Sequence, residues 1–195
     1  MVLAGPTLAL RPPVAGDAEA LFALGRDPEV TRWFSWGPYA TRAEPAAWIA
    51  AQEGRRERGE ALALALLHHE HGLVGITELA DWGGRDRRAV VGTWLGRRWW
   101  GTGLNAEVKR LVCLLAFDHC GLERLGAYCD VANARSRAAL AKAGFTEEGI
   151  LRSFHRHGTL HKDVVVASML RAEWADPIAA TFTGALPPAF ALQDS

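Results

Sequence analysis

Residues 97–109, RRWWGTGLNAEVK, set two arginines and two tryptophans before a Gly-x-Gly turn, and a helical pattern starts at once. A turn of this kind leaves backbone N–H groups bare at the positive end of a helix, which suits an anion. Gly101 and Gly103 would let a phosphate approach the backbone closely, and Arg97 and Arg98 add charge. A turn that needs two glycines for its shape alone has the same spelling. Other chemically capable residues lie further along: Asn133 and Ser136 opening NARSRAALAKAG, and His155, His157 and His161 around a polar hairpin. The run HHEHG (His68, His69, Glu70, His71) has metal-ligand residue types, and on a strand His69 and His71 would share a face. It lacks a helical HExxH or a cysteine partner, so no metal is expected.

These groups need elements to hold them. TLALRPP reads as a strand stopped by Pro12 and Pro13, and Asp17 is placed to cap a helix over AEALFALGRD. An aromatic stretch, EVTRWFSWGPYA, precedes a second helix whose end, GRRERG, reads as solvated. ALALALLH, LVGITELADW and RAVVGTWLG are strands. Leu104, Val108, Leu111, Val112 and Leu115 then recur at helical spacing. RLGAYCDV is a strand, NARSRAALAKAG a helix with Asn133 as its N-cap, and FTEEGILRSF and DVVVASMLR are strands joined by HRHGTLHK. The order β-α-α-β-β-β-α-β-α-β-β predicts an α/β domain over residues 1–175, one mixed sheet with helices on both faces. Residues 176–195 are a Pro/Ala-rich tail expected to be partly irregular.

Composition narrows the function classes. The 195 residues are 49% hydrophobic and 23% charged, an ordinary globule. Lys+Arg and Asp+Glu balance at 22 each, which argues against a general nucleic-acid binder dependent on surplus cations. Cys113, Cys120 and Cys129 are odd in number and form no C-x-x-C, as free thiols in a reducing cytoplasm would. No segment approaches the ~20 apolar residues of a membrane span. GTGLNA also satisfies the dinucleotide fingerprint G-x-G-x-x-G/A, with Asp130 ending a strand further on. In that fold the first glycine follows its strand almost directly, whereas GRRWW intervenes here, and a hairpin replaces the further βαβ units.

The segment Arg98-Trp99-Trp100-Gly101-Thr102-Gly103 resembles the Arg/Gln-x-x-Gly-x-Gly/Ala pyrophosphate loop of the GNAT (GCN5-related) N-acetyltransferases. NARSRAALAKAGFTEEGILR resembles the Asn-x-x-Ser…Lys-x-Gly-Phe…Glu-Gly segment of their RimJ/RimL-like branch, which includes ribosomal-protein N-terminal acetyltransferases. The resemblance spans residues 7–174. It implies the GNAT acyl-CoA N-acyltransferase fold, with a splayed central sheet flanked by helices, and acetyl-CoA as cosubstrate without a metal. By this resemblance Trp94 and Leu95 pair their backbone with the pantetheine amides. N–H groups of Arg98, Trp99, Trp100, Gly101, Thr102, Gly103, Leu104 and Asn105 hold the pyrophosphate. Asn133 meets the pantetheine arm and Ser136 the thiol. Arg135, Arg137 and Lys142 either meet the 3′-phosphate or are solvated.

The implied chemistry is direct attack of an amine on a thioester. The tyrosine that many relatives place seven residues after the asparagine is Leu140 here, leaving Ser136 as the nearest hydroxyl. Val90 stands where many carry a glutamate base. Some ribosomal-protein enzymes place a carboxylate base six residues after the Glu-Gly glycine, and that position is His155. Its imidazole either acts as the base or decorates a polar hairpin; Glu78 and Asp81 are weaker candidates. An α-amine of pKa ≈ 7.8 is about 14% neutral at pH 7 against about 0.04% for lysine, so a weak base favours an α-amine. Trp33, Phe34, Trp36 and Tyr39 sit where these enzymes build an acceptor wall, and core or a dimer face is their other reading. The expected activity is acetylation of a peptide N-terminus or a small amine. Leu140 and Val90 leave a non-catalytic acyl-CoA sensor as the alternative, and a homodimer is expected.

Overall fold

The computed structural model describes residues 1–175 and 178–192. Its elements in chain order are β1 (Val2–Ala4), β2 (Leu8–Arg11), α1 (Ala18–Gly25), α2 (Pro28–Thr31), α3 (Ala43–Glu57), β3 (Ala61–His68), β4 (Gly72–Gly83) and β5 (Arg88–Leu95). Then follow α4 (Leu104–Leu114), β6 (Arg124–Asp130), α5 (Ala134–Lys142), β7 (Thr146–His157), β8 (Leu160–Leu170) and β9 (Thr181–Thr183). The expected elements are all present, and β1, α2 and β9 are added. Each addition has three or four residues, too short to show a period.

The leucines and alanines of β3 explain the layering. Leu62, Leu64 and Leu66 point into the main core with Leu111, Leu115 and Phe117, on the face covered by α4. Ala65 points the other way, beneath Leu21 of α1 and Ile49 of α3. The strand is buried on both faces, and small side chains let the helices approach one of them. Leu104, Val108, Leu111 and Val112 form the apolar stripe of α4, as their spacing predicted. The helix ends in a wider turn over Leu115–His119. Glu107 of α4 accepts the N–H groups of Thr7 and Leu8 at 2.8 and 2.9 Å, pinning β2 to the helix.

The nine strands run β7-β8-β6-β5-β4-β3-β2-β1-β9. Among the described residues only β5 and β6 pair in parallel, and only over Arg88–Arg124, Ala89–Leu125 and Val90–Gly126. Beyond Val90, β5 stays paired with β4 as far as Leu95. Beyond Gly126, β6 stays paired with β8 as far as Asp130. The two strands therefore part, and the centre of the sheet opens into a gap at their C-terminal ends, as the resemblance implied. On the far edge β9 pairs with β1, and Phe190 is fully buried against Trp82, so residues 178–192 close that side of the domain.

Two local readings are corrected. Asp17 stands at the head of α1 without capping it. Its carboxylate accepts from the Val14 N–H and binds Arg11 through both oxygens at 2.8 Å, because the guanidinium of β2 is the stronger partner. The charged end of α3 is not wholly solvated, since Arg55 reaches Glu78 of β4 at 2.9 Å. Cys113, Cys120 and Cys129 are free and buried. Among the described residues no helix is long and apolar enough to cross a membrane.

Lys109 of α4 is 7% exposed, and its Nζ donates to Thr93 Oγ1 at 3.1 Å. Burial pulls its pKa down from 10.5 to about 8, with Cys113 opposing weakly. At pH 7 the folded state therefore holds a charge it disfavours, a cost relieved as the pH rises from 8 through 10.5. Lys109→Met should stabilise the protein at pH 7 by about 2 kcal/mol, once the lost hydrogen bond is deducted. That advantage should shrink above pH 8 and vanish near 10.5 in urea titrations. Cys120, held up at about 12 by burial alone, weakens the two variants alike above pH 9, whereas Cys113 interacts with the lysine itself, so the difference is read between pH 7 and 9.

Candidate active site

The gap between β5 and β6 opens into a cavity of about 590 Å³. Val90, Val91, Gly92, Thr93 and Trp94 line it from β5, and Tyr128, Cys129 and Asp130 from β6. Because β6 has left, one edge of β5 has no partner strand. The Gly96 N–H donates back to Val74 of β4, and the Trp94 carbonyl lies beside Gly75, where a Cβ would meet it at 2.1 Å. Alternation then turns the backbone groups of Thr93 and Leu95 toward the gap. Of the two residues expected to form this edge, Leu95 turns its backbone to the gap and Trp94 to the β4 side, with Thr93 next along the free edge. The Leu95 carbonyl already accepts from Trp100 Nε1 at 2.9 Å, which leaves its N–H for the gap.

The Gly-x-Gly turn stands at the mouth of this gap. Gly101 and Gly103 have φ of +75° and +89°, a region only glycine enters cheaply, and a Cβ on either would meet nothing within 4 Å. Gly103 is the N-cap of α4 and offers no capping side chain, so the first turn of the helix is left to short-range partners. The Leu104 N–H reaches Thr102 Oγ1 at 3.4 Å, and the Ala106 N–H reaches the Gly103 carbonyl at 2.9 Å. Thr102 Oγ1 donates to the Trp99 carbonyl at 2.9 Å and ties the turn down. Trp99 stacks on His68 with centroids 5.2 Å apart and lies equally close to His71. Trp100 lies under Arg135 of α5 at 3.4 Å from guanidinium to ring. The tryptophans therefore buttress the turn: Trp99 against the β3–β4 corner, Trp100 between β5 and α5.

The HHEHG pairing also differs from expectation. The strand ends at His68, so His71 turns back onto His68 instead of aligning with His69, and His69 Nε2 meets the Gly5 carbonyl. The ligand atoms of His68, Glu70 and His71 come within 4.8 Å of one another. His68 Nδ1, however, accepts the Glu70 N–H at 3.1 Å, which commits that nitrogen to the turn.

Asn133 caps α5 as predicted, accepting the Ser136 N–H at 3.1 Å. Ser136 is not among the cavity-lining residues, whereas Cys129 is; burial raises the Cys129 thiol's pKa and the nearby Ser136 hydroxyl opposes that. Arg137 pairs with Glu147 at 3.1 Å.

Aromatic side chains form most of the remaining wall. Trp33, Phe34, Trp36 and Tyr39 come from the loop between α2 and α3, Trp48 from α3, and Phe154 from β7. Trp36 is the hub, with centroids 5.5 Å from Phe34, 5.1 Å from Tyr39 and 5.4 Å from Trp94. The loop aromatics are half-buried and belong to neither core cluster, so they are wall and not core. Burial, with Glu44 adding to it, pushes the Tyr39 phenol up to about 12, so it stays neutral.

Polar groups reach the cavity through two β-bulges. The register of β4 slips between Ala80 and Gly83, where Asp81 takes φ 49°. The register of β7 slips between Leu151 and His155, where Ser153 takes φ 55° and donates its N–H to Asp163 Oδ1 at 2.8 Å. Non-glycine residues enter this region at a cost, and bulges re-aim side chains. The result is Asp81 and His155 lining one cavity, with the carboxylate near enough to act on the imidazole. Burial lowers the His155 pKa below 6.5, His157 pushes the same way, and Asp81 opposes both. The shift favours the neutral imidazole, the form that can accept a proton. Glu78 also lines the cavity, but Arg55 holds it.

A strand splayed from its parallel neighbour, with a bare glycine turn at the mouth, is the arrangement the sequence resemblance demanded. The family model described as "Acetyltransferase (GNAT) domain" matches residues 7–146. The chain belongs to the GNAT acetyltransferase family. As a GNAT protein it is an N-acetyltransferase, and its relatives agree in class. The Bacillus subtilis protein named "Putative ribosomal N-acetyltransferase YdaF" is 25% identical over 169 residues, 86% of this chain and 92% of the relative. A GCN5-related N-acetyltransferase from Brucella melitensis superposes with TM-score 0.81 at 24% identity, covering 89% and 80% of the two chains. A RimL ribosomal L7/L12 alpha-N-protein acetyltransferase in complex with coenzyme A superposes with TM-score 0.77 at 19% identity, covering 87% and 98%. The family match ends at residue 146, nine before His155, so His155 stands on its geometry alone.

Sequence reasoning missed Trp48, Tyr128, Phe154 and Cys129 as lining residues. Nothing local marks them: Trp48 sits in an amphipathic helix, and the others sit on strands that read equally well as core. A long-range fact, the parting of β5 from β6, makes them lining.

Proposed function

We propose that this GNAT protein transfers the acetyl group of acetyl-CoA to a primary amine, foremost the α-amine of a peptide N-terminus. The observation that carries this reading is the free edge of β5, which lines the cavity holding His155 and leads along the chain into the Gly101–Gly103 turn. N–H groups of residues 98–105 hold the pyrophosphate, and the Leu95 N–H and the Thr93 backbone hold the pantetheine arm. His155 takes a proton from the acceptor amine as its nitrogen bonds to the thioester carbonyl carbon. A β5 N–H steadies the oxyanion, the carbon–sulfur bond breaks, and the thiolate recovers a proton from solvent. Ser136 orients the Cys129 thiol at the wall instead of acting as the acid.

The α-amine is favoured because His155 is a modest base and an α-amine is hundreds of times more neutral than lysine at pH 7. The ribosomal acetyltransferase names of its relatives support the same acceptor class. Buried reduced thiols fit a cytoplasmic setting. Ile150 of β7 and Leu160 of β8, 55% and 62% exposed, fit a homodimer. Thiol release from acetyl-CoA, followed with a panel of peptides and small amines, tests the reading. Amine-dependent release is expected; tight CoA binding without release on any amine would instead make the protein a sensor.

A further inference from the structure

The acceptor cavity is unusual in what surrounds it. Eight aromatic rings line one space of about 590 Å³, contributed by a loop, a helix and three strands. Rings gathered from so many elements are not the by-product of one apolar segment. A serine or alanine side chain beside the reacting amine would leave most of that surface wet. A flat ring would fill it and stack on Trp36, whose neighbours Phe34, Tyr39 and Trp94 already hold it in place.

An aromatic cavity can also hold an aliphatic polycation through its ring faces, and charge decides between the two. Three carboxylates reach the cavity. Arg55 binds Glu78, and Arg156 and Lys162 line the same space, so three cations balance the three carboxylates Glu78, Asp81 and Asp130. A site with no acidic surplus does not attract a polycation.

We infer that the acceptor is a primary amine carrying an aromatic ring close to the nitrogen, with the ring on the Trp36 wall and the amine between His155 and Asp81. This rests on the proposed acetyl transfer and narrows its substrate. The test compares tryptamine, a phenylalanine-starting peptide, an alanine-starting peptide and spermidine by thiol release from acetyl-CoA. The two aromatic amines should exceed the alanine peptide in kcat/KM by roughly tenfold or more, the scale on which an apolar pocket discriminates. Trp36→Ala should flatten that ratio and Trp36→Phe should keep most of it. A ratio taken on one preparation does not depend on the fraction folded. Equal or better turnover of the alanine peptide or spermidine would overturn the inference and leave acetyl transfer standing. Absence of release with every amine would overturn both.

Discussion

Replacing His155 with alanine is expected to lower kcat/KM by roughly 10²–10⁴, the range for losing a positioned general base. The residue is largely exposed on β7, with only part of its ring covered by the cavity wall, so thermal stability should barely change. The pH profile carries the stronger information. His155 is held below its usual 6.5 by burial and His157, and it accepts a proton only when neutral, so the wild type should lose activity on an acid limb with its midpoint below 6.5. A second limb near 7.8 belongs to an α-amine acceptor and should survive in the variant, while the lower limb disappears. Asp81→Asn removes the one neighbour that raises the imidazole's pKa and should move the lower limb further down. A His155→Ala enzyme with undiminished turnover would return the imidazole to hairpin decoration.

Gly103→Val is the second large effect. At φ +89° a β-branched residue pays at least the roughly 1–2 kcal/mol of a left-handed conformation, and its side chain enters space that is open in the native turn. CoA affinity, measured by calorimetry, should fall by about tenfold or more, since 1.4 kcal/mol is a factor of ten. Gly158→Val supplies the control. It imposes the same strain at φ +60° in the β7–β8 turn, away from the Gly101–Gly103 loop. It should lower Tm similarly and leave CoA affinity untouched. If both variants bind CoA as the wild type does, the turn is structural only.

These predictions differ in how far the sequence alone supports them. The Gly-x-Gly turn, the α4 stripe and the Asn133 cap were all legible, because each is written in residues adjacent along the chain. The His155 position was legible by analogy, yet what makes it a base was not. The bulge at Ser153 and the one at Asp81 lie 72 residues apart, and only the sheet brings them to one cavity. Asp17 shows the opposite failure, a sound local capping signal overridden by Arg11 from a neighbouring strand. The aromatic loop was ambiguous in principle. Half-buried wall and buried core share one composition, and the parting of β5 from β6 decides between them.

That parting is the centre of the account, and a crystal structure with bound CoA measures it directly. The pyrophosphate should lie against the N–H groups of residues 101–105, with the pantetheine amides on the Thr93–Leu95 edge of β5. The sulfur should enter the cavity between Val91 and Cys129. A pyrophosphate seated elsewhere, or β6 closing onto β5 with the cofactor excluded from between them, would contradict it.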